Sequence, residues 1–206
     1  MLNNFINEIR DKNIQKDSLR FRANIERIGQ VMAVELSKTL VYKTRKVQTP
    51  LGTAHVDITD EKIVIASILR AGLPLHNGFL SFFDHAENAF VSAYRKYIDS
   101  VNFDIHVEYI SAPDITNKTL ILCDPMLATG GSMELSYKAL LMHGMPAKLH
   151  IASVIASQQA IDFLQKSLPP DTVIWVAAVD EKLNEHAYIV PGIGDAGDLA
   201  FGEKID

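Results

Sequence analysis

The chain carries a single cysteine, Cys123, so no disulfide can close within it. The apolar neighbours Ile121 and Leu122 mark that thiol as a strand core residue. No apolar run reaches membrane-spanning length, and the opening MLNNFINEIR lacks the basic-then-apolar layout of a secretory signal. Both absences point to a cytoplasmic protein with no membrane partner, in which the sequon Asn117-Lys118-Thr119 has no consequence. Blocks rich in Lys and Arg are missing too. With 20 basic against 25 acidic residues the formal charge is −5, which argues against nucleic acid as a partner. Isolated arginines in such a chain fit a small anionic ligand instead. The seven histidines show no HExxH or comparable spacing, so a protein-ligated metal centre is not expected. GxxxxGK[ST] is absent as well, which removes the nucleoside-triphosphate loop from consideration.

What is present suits one domain over residues 1–206, since 206 residues at 48% hydrophobic content can enclose a full core. Apolar runs fall at IVIASIL (63–69), AFVSAY (89–94), TLILCD (119–124), HIASVIA (150–156) and VIWVAAV (173–179). Between them, helical patterns are expected from Arg70 to Phe83, from Ser132 to His143 with Gly144 as stop signal, and from Gln158 to Leu168. The longest helical signal runs from Asp17 to Tyr42, with Phe21, Ile25, Ile28, Met32 and Leu36 on one face. Strands that are apolar throughout and alternate with helices predict an α/β fold, a mostly parallel sheet with helices on both faces. Loose alternation over 97–117 predicts a projecting β-arm. The glycine-dense stretch from Asn184 onward shows no periodicity.

One segment, ILCDPMLATGGSM (121–133), ends a strand on an acid and passes through small residues into a helix. Backbone N–H groups at such a helix start can wrap an anion. A monophosphate cradled by Thr129, Gly130, Gly131 and Ser132 is expected, with Asp124 upstream accepting hydrogen bonds from sugar hydroxyls. The alternative is a plain strand–helix turn that uses glycine for tight packing. In parallel sheets ligands sit beyond the carboxyl ends of the strands, and Arg70 and Arg95 fall at two such ends. Their planar forks suit oxyanions. The stretch Gly192-Ile193-Gly194-Asp195-Ala196-Gly197 matches GxGxxG, but no βαβ unit follows it before Asp206, so a dinucleotide site is excluded. Structural or solvent roles are expected for His76, His85, His143 and His186.

DPMLATGGS (124–132) together with YIVPGIGDAGD (188–198) closely resembles the uracil phosphoribosyltransferase family. ILRAG (68–72), AYR (93–95), RFR (20–22) and LNEHAY (183–188) match in the family's order, so the resemblance spans about residues 18 to 203. It implies the type I phosphoribosyltransferase fold with a uracil-binding hood over 180–206. The implied reaction joins uracil to 5-phosphoribosyl-1-diphosphate (PRPP), giving UMP and diphosphate in pyrimidine salvage, with Mg²⁺ carried on the diphosphate. In that reading Asp124, Arg70, Arg95 and Asp195 are catalytic. PRPP is held by Arg70, Arg95, Asp195 and the run Asp124, Pro125, Met126, Leu127, Ala128, Thr129, Gly130, Gly131 and Ser132. Uracil is read by Ile189, Gly194, Asp195 and Ala196. The resemblance also implies a homodimer or higher homo-oligomer, and GTP as a candidate activator. Two rival readings are a non-catalytic UMP-binding regulator on the same fold and a phosphoribosyltransferase for another base.

Overall fold

The structure is a computed structural model that describes residues 1–97 and 103–204, with side chains described outside 93–107. Two helices open the chain, α1 (Leu2–Arg10) and α2 (Ser18–Ser37). Asp17 caps α2 by accepting a hydrogen bond from the Arg20 N–H at 3.0 Å, which satisfies one of the amides a helix start leaves open. The predicted stripe Phe21, Ile25, Ile28, Met32 and Leu36 is buried as expected. The helix stops at Ser37, however, and Tyr42 already belongs to a strand. That strand, β1 (Tyr42–Thr49), pairs antiparallel with β2 (Gly52–Thr59) in a two-stranded hairpin that is largely exposed.

The central sheet follows the apolar runs. It contains β3 (Ile63–Leu69), β4 (Glu87–Tyr97), β5 (Phe103–Ser111), β6 (Thr119–Cys123), β7 (Met126–Leu127), β8 (Lys148–Ser157) and β9 (Val173–Asp180). The pairings run β5-β4-β3-β6-β8, with β7 continuing the line of β6 along β8 and β9 on the far side of β8. All are parallel except β4 with β5. Part of the expected β-arm, residues 98–102, lies outside the described residues. The described part, β5, is the antiparallel edge strand, held from Phe90↔Ser111 to Tyr97↔Phe103.

Side chains alternate across the sheet, as the period of a strand dictates. Ile65, Ile121, Cys123 and Val154 face α1, α2 and α3 (Leu73–Leu80) in one buried layer. Val64, Ala66, Leu120, Leu122 and Ile151 face α4 (Gly131–Leu140) and α5 (Gln158–Ser167) in the other. Each such fully buried aliphatic side chain contributes about 1.5–3 kcal/mol relative to exposure. Helices on both faces leave the strand ends as the places where polar groups can gather. Cys123 is fully buried, as expected, and desolvation together with the neighbouring Asp124 charge pushes its thiol far above the ordinary range.

The carboxyl-terminal coil is more ordered than its composition suggests. Beyond β9 it folds into β10 (Lys182–Leu183) and β11 (Ile189–Val190), an antiparallel pair, and ends in α6 (Ala196–Phe201). Asn184 closes this pair, its side-chain oxygen accepting from the amides of His186 and Tyr188 at 3.0 and 2.9 Å. Ile189, Ile193, Ala196 and Ala200 then sink into the same layer as α1 and α2.

Candidate active site

The line of β6 breaks at Asp124. Its N–H still donates to Ala152 O (3.1 Å), but the next peptide turns, and the Pro125 carbonyl accepts from both Val154 and Ile155 N–H at 3.1 and 3.0 Å. Met126 and Leu127 resume pairing, opposite Ile155 and Ala156. The break leaves the Asp124 carboxylate partly buried at the ligand end of the sheet, where Oδ1 accepts from the Met126 N–H at 3.4 Å. A small cavity lies over Asp124, Ala128, Thr129 and Ser132.

The loop that follows is fixed from beneath. Ser157, the last residue of β8, donates its hydroxyl to the Ala128 carbonyl at 2.6 Å and accepts from the Ala160 N–H at 3.0 Å. Gly130 then turns with φ +85°, ψ −12°, and serves as the N-cap of α4 without a capping side chain. Thr129 Oγ1 accepts from Gly131 N–H at 3.4 Å. The first amide to bond within the helix is that of Glu134, to Gly130 O at 3.0 Å. Helix starts leave their leading N–H groups without intrahelical partners, and Gly130, Ser132 and Met133 line the cavity at the positive end of the helix dipole. Such an end can take an anion. The predicted cradle residues are therefore adjacent in space.

Arg70 stands just past β3, exposed, with its Nη2 donating to Asp198 Oδ1 and to the Gly202 carbonyl, each at 3.1 Å. A Cβ on Gly197 would lie 3.9 Å from that same nitrogen, so the guanidinium spans from the sheet to α6. Arg95 lies on β4 opposite Ile105, and its side chain is outside the described residues. Asp195 caps α6, accepting from the Asp198 N–H at 3.0 Å. Ile189 and Ala196 are buried, whereas Gly194 (φ +83°) is exposed. Between them runs a cis Val190–Pro191 peptide and Gly192, at φ +58°.

Three contributors escaped sequence reading. Arg10 of α1 forks onto Asp180 with bonds of 2.9 and 2.8 Å and donates to Gly192 O at 3.0 Å. Asp180 in turn accepts the Gly192 N–H at 2.9 Å. Burial works against the ionised carboxyl, yet the Arg10 guanidinium and the Gly192 amide outweigh it and hold Asp180 below the ordinary carboxylate range. The third is Ser157. Arg10 and Asp180 are 170 positions apart and carry no local pattern, so only the folded chain brings them together. His76, for which a structural or solvent role was expected, is buried and bonds Asn88 Oδ1 through Nε2 at 2.7 Å.

A mostly parallel sheet with helices on both faces is the fold of the type I phosphoribosyltransferases. A hypoxanthine phosphoribosyltransferase from Staphylococcus aureus shares that fold, with a TM-score of 0.50 at 14% identity over 77% of this chain and 74% of its own. The AQ2163 protein from Aquifex aeolicus is much nearer, with a TM-score of 0.88 at 28% identity over 100% of this chain and 96% of its own. The uracil phosphoribosyltransferase family profile matches residues 1–203. The uracil phosphoribosyltransferase of Porphyromonas gingivalis strain ATCC 33277 is 62% identical over 205 residues, covering 100% of this chain and 95% of that protein. That of Methanothermobacter thermautotrophicus is 42% identical over 193 residues, covering 92% and 87%. The chain belongs to the uracil phosphoribosyltransferase family, and it is a transferase enzyme.

Proposed function

We propose that the protein joins uracil to PRPP, releasing diphosphate and UMP, with residues 124–132 and the 188–198 coil holding the reactants. The observation that carries this reading is the helix start at Gly130–Ser132, with Asp124 beside it, at the same sheet edge as the 189–196 turn, which is anchored by the buried Ile189, Ile193 and Ala196. The 5′-phosphate sits on the amides of Ala128–Ser132, backed by Pro125, Met126 and Leu127, and Asp124 accepts from the ribose hydroxyls. Arg70 and Arg95 take the diphosphate. Arg70 stands exposed just past β3, its guanidinium shared between a carboxylate and a carbonyl at 3.1 Å. Ile189, Gly194 and Ala196 present backbone groups to the acceptor–donor–acceptor edge of uracil, and Asp195 faces the diphosphate.

In the transfer, the C1–oxygen bond to diphosphate breaks, positive charge gathers on the ribose ring, and uracil N1 bonds to C1 as its proton passes to solvent. Preorganised cationic groups stabilise a leaving anion, and holding both reactants in line removes most of the entropic barrier. Among the described residues no group of three His, Cys, Asp or Glu could cage a metal ion. Mg²⁺ would arrive on the substrate's diphosphate near Asp195, because Mg²⁺ keeps waters and needs few carboxylates. When bound, the ion neutralises charge on the diphosphate.

We further read the chain as one domain over 1–206, with 97–117 as a β-arm and 180–206 as the hood. Its working form is a cytoplasmic homo-oligomer, with GTP as activator; no helix among the described residues is long and apolar enough to cross a membrane. The test is direct. Purified protein with labelled uracil, PRPP and Mg²⁺ forms labelled UMP, and cytosine reacts roughly 10⁴-fold less efficiently because its edge leaves buried groups unpaired. No UMP, or equal use of the two bases, would refute the proposal.

A further inference from the structure

The carboxyl ends of β8 and β9 carry two buried polar residues side by side, Ser157 and Asp180, which are partners in the parallel register. Each reaches a different half of the site. Ser157 Oγ holds the Ala128 carbonyl at 2.6 Å, at the head of the phosphate loop. Asp180 holds the Gly192 N–H at 2.9 Å, at the head of the base-reading turn, while Arg10 grips both Asp180 oxygens and the Gly192 carbonyl. Both polar groups of the Gly192 backbone are thus fixed by one ion pair. No larger residue could take the place of Gly192. A Cβ there would fall 2.1 Å from Ile189 O, at a φ of +58° that favours glycine.

We propose that Arg10 and Asp180 are positioning residues for the pyrimidine, and that the Ser157–Asp180 register sets the span between phosphate loop and base turn. A turn that is already ordered spares the ligand the entropic cost of ordering it. The planar fork of Arg10 reaches two carboxylate oxygens and a carbonyl at once; an ammonium group cannot reproduce that geometry. Neither residue needs to touch a substrate. The inference rests on the functional reading above, which assigns the base to residues 189–196.

The two anchors make separable predictions. In Arg10→Lys and Asp180→Asn, the KM for uracil rises about 10-fold or more while the KM for PRPP stays within about twofold. In Ser157→Ala the KM for PRPP rises and that for uracil does not. Glu8→Ala serves as a control, because Glu8 ties α1 to Arg20 and Asn24 of α2 without touching Gly192; both KM values stay unchanged. Thermal melts run alongside. A purely structural role would lower the melting temperature and the apparent kcat together and leave both KM values alone, which overturns the inference, as does a parallel rise of both. A wild-type protein that forms no UMP would overturn the functional reading first, and this inference with it.

Discussion

Gly130→Ala tests the proposed phosphate loop where its geometry is most demanding. The wild-type residue sits at φ +85°, a region in which an L residue loses roughly 1–2 kcal/mol. Its new Cβ would fall 2.9 Å from Phe163 Cδ1 and 3.1 Å from Leu164 Cγ. Phe163 is partly exposed and can swing aside, but Leu164 is fully buried and cannot. Overpacking of that kind adds about 1–3 kcal/mol. A combined loss of about 2–5 kcal/mol is therefore expected in urea unfolding, together with a raised KM for PRPP as the amides proposed to hold the phosphate shift. Gly52→Ala is the matched control, since nothing lies within 4 Å of its Cβ position and its φ is unremarkable. If Gly130→Ala were as stable as Gly52→Ala and bound PRPP normally, the loop would not depend on the left-handed turn, and the reasoning would fail.

On the proposed role of Asp124, Asp124→Ala would remove two charge-assisted hydrogen bonds to the ribose, each about 1.5–3 kcal/mol, so kcat/KM should drop roughly 10²- to 10⁴-fold. Circular dichroism should be unchanged; near-normal turnover would count against the site. The pH dependence of stability offers another check. Desolvation holds the imidazoles of His76 and His150 below the ordinary histidine range; for His150, Lys148 adds to the effect and Glu61 opposes it. The unfolded chain then binds more protons than the folded one below about pH 6.5, so stability present at pH 7 is lost as pH falls toward 5. Melting curves should show that fall, and His150→Asn, which keeps an acceptor for the Trp175 N–H, should reduce it. An unchanged slope in this variant would contradict the assignment.

The parts of the fold that sequence revealed are those whose burial is total. IVIASIL became β3 residue for residue, because a strand covered on both faces must be apolar throughout. The β1–β2 hairpin stayed hidden for the opposite reason. Its residues are mostly exposed, so no burial constraint wrote alternation into YKTRKVQT or GTAHVDIT. Helix α1 shows only Ile6 and Ile9 as buried residues, too short a stripe to stand out. The expected helix to Tyr42 overran because Leu40, buried after the helix has ended, prolongs the apolar spacing. The proposed phosphate loop could be picked out in the sequence because its residues are consecutive. The Arg10–Asp180–Gly192 anchor was not, because its members meet only when the first helix packs beside the last sheet strand.

A crystal structure of the protein with UMP addresses the central claim most directly. The 5′-phosphate should rest on the amides of Ala128–Ser132, Asp124 should face the ribose hydroxyls, and the base should lie against Ile189, Gly194 and Ala196. A nucleotide bound anywhere else, or a base turned away from that coil, would contradict the account.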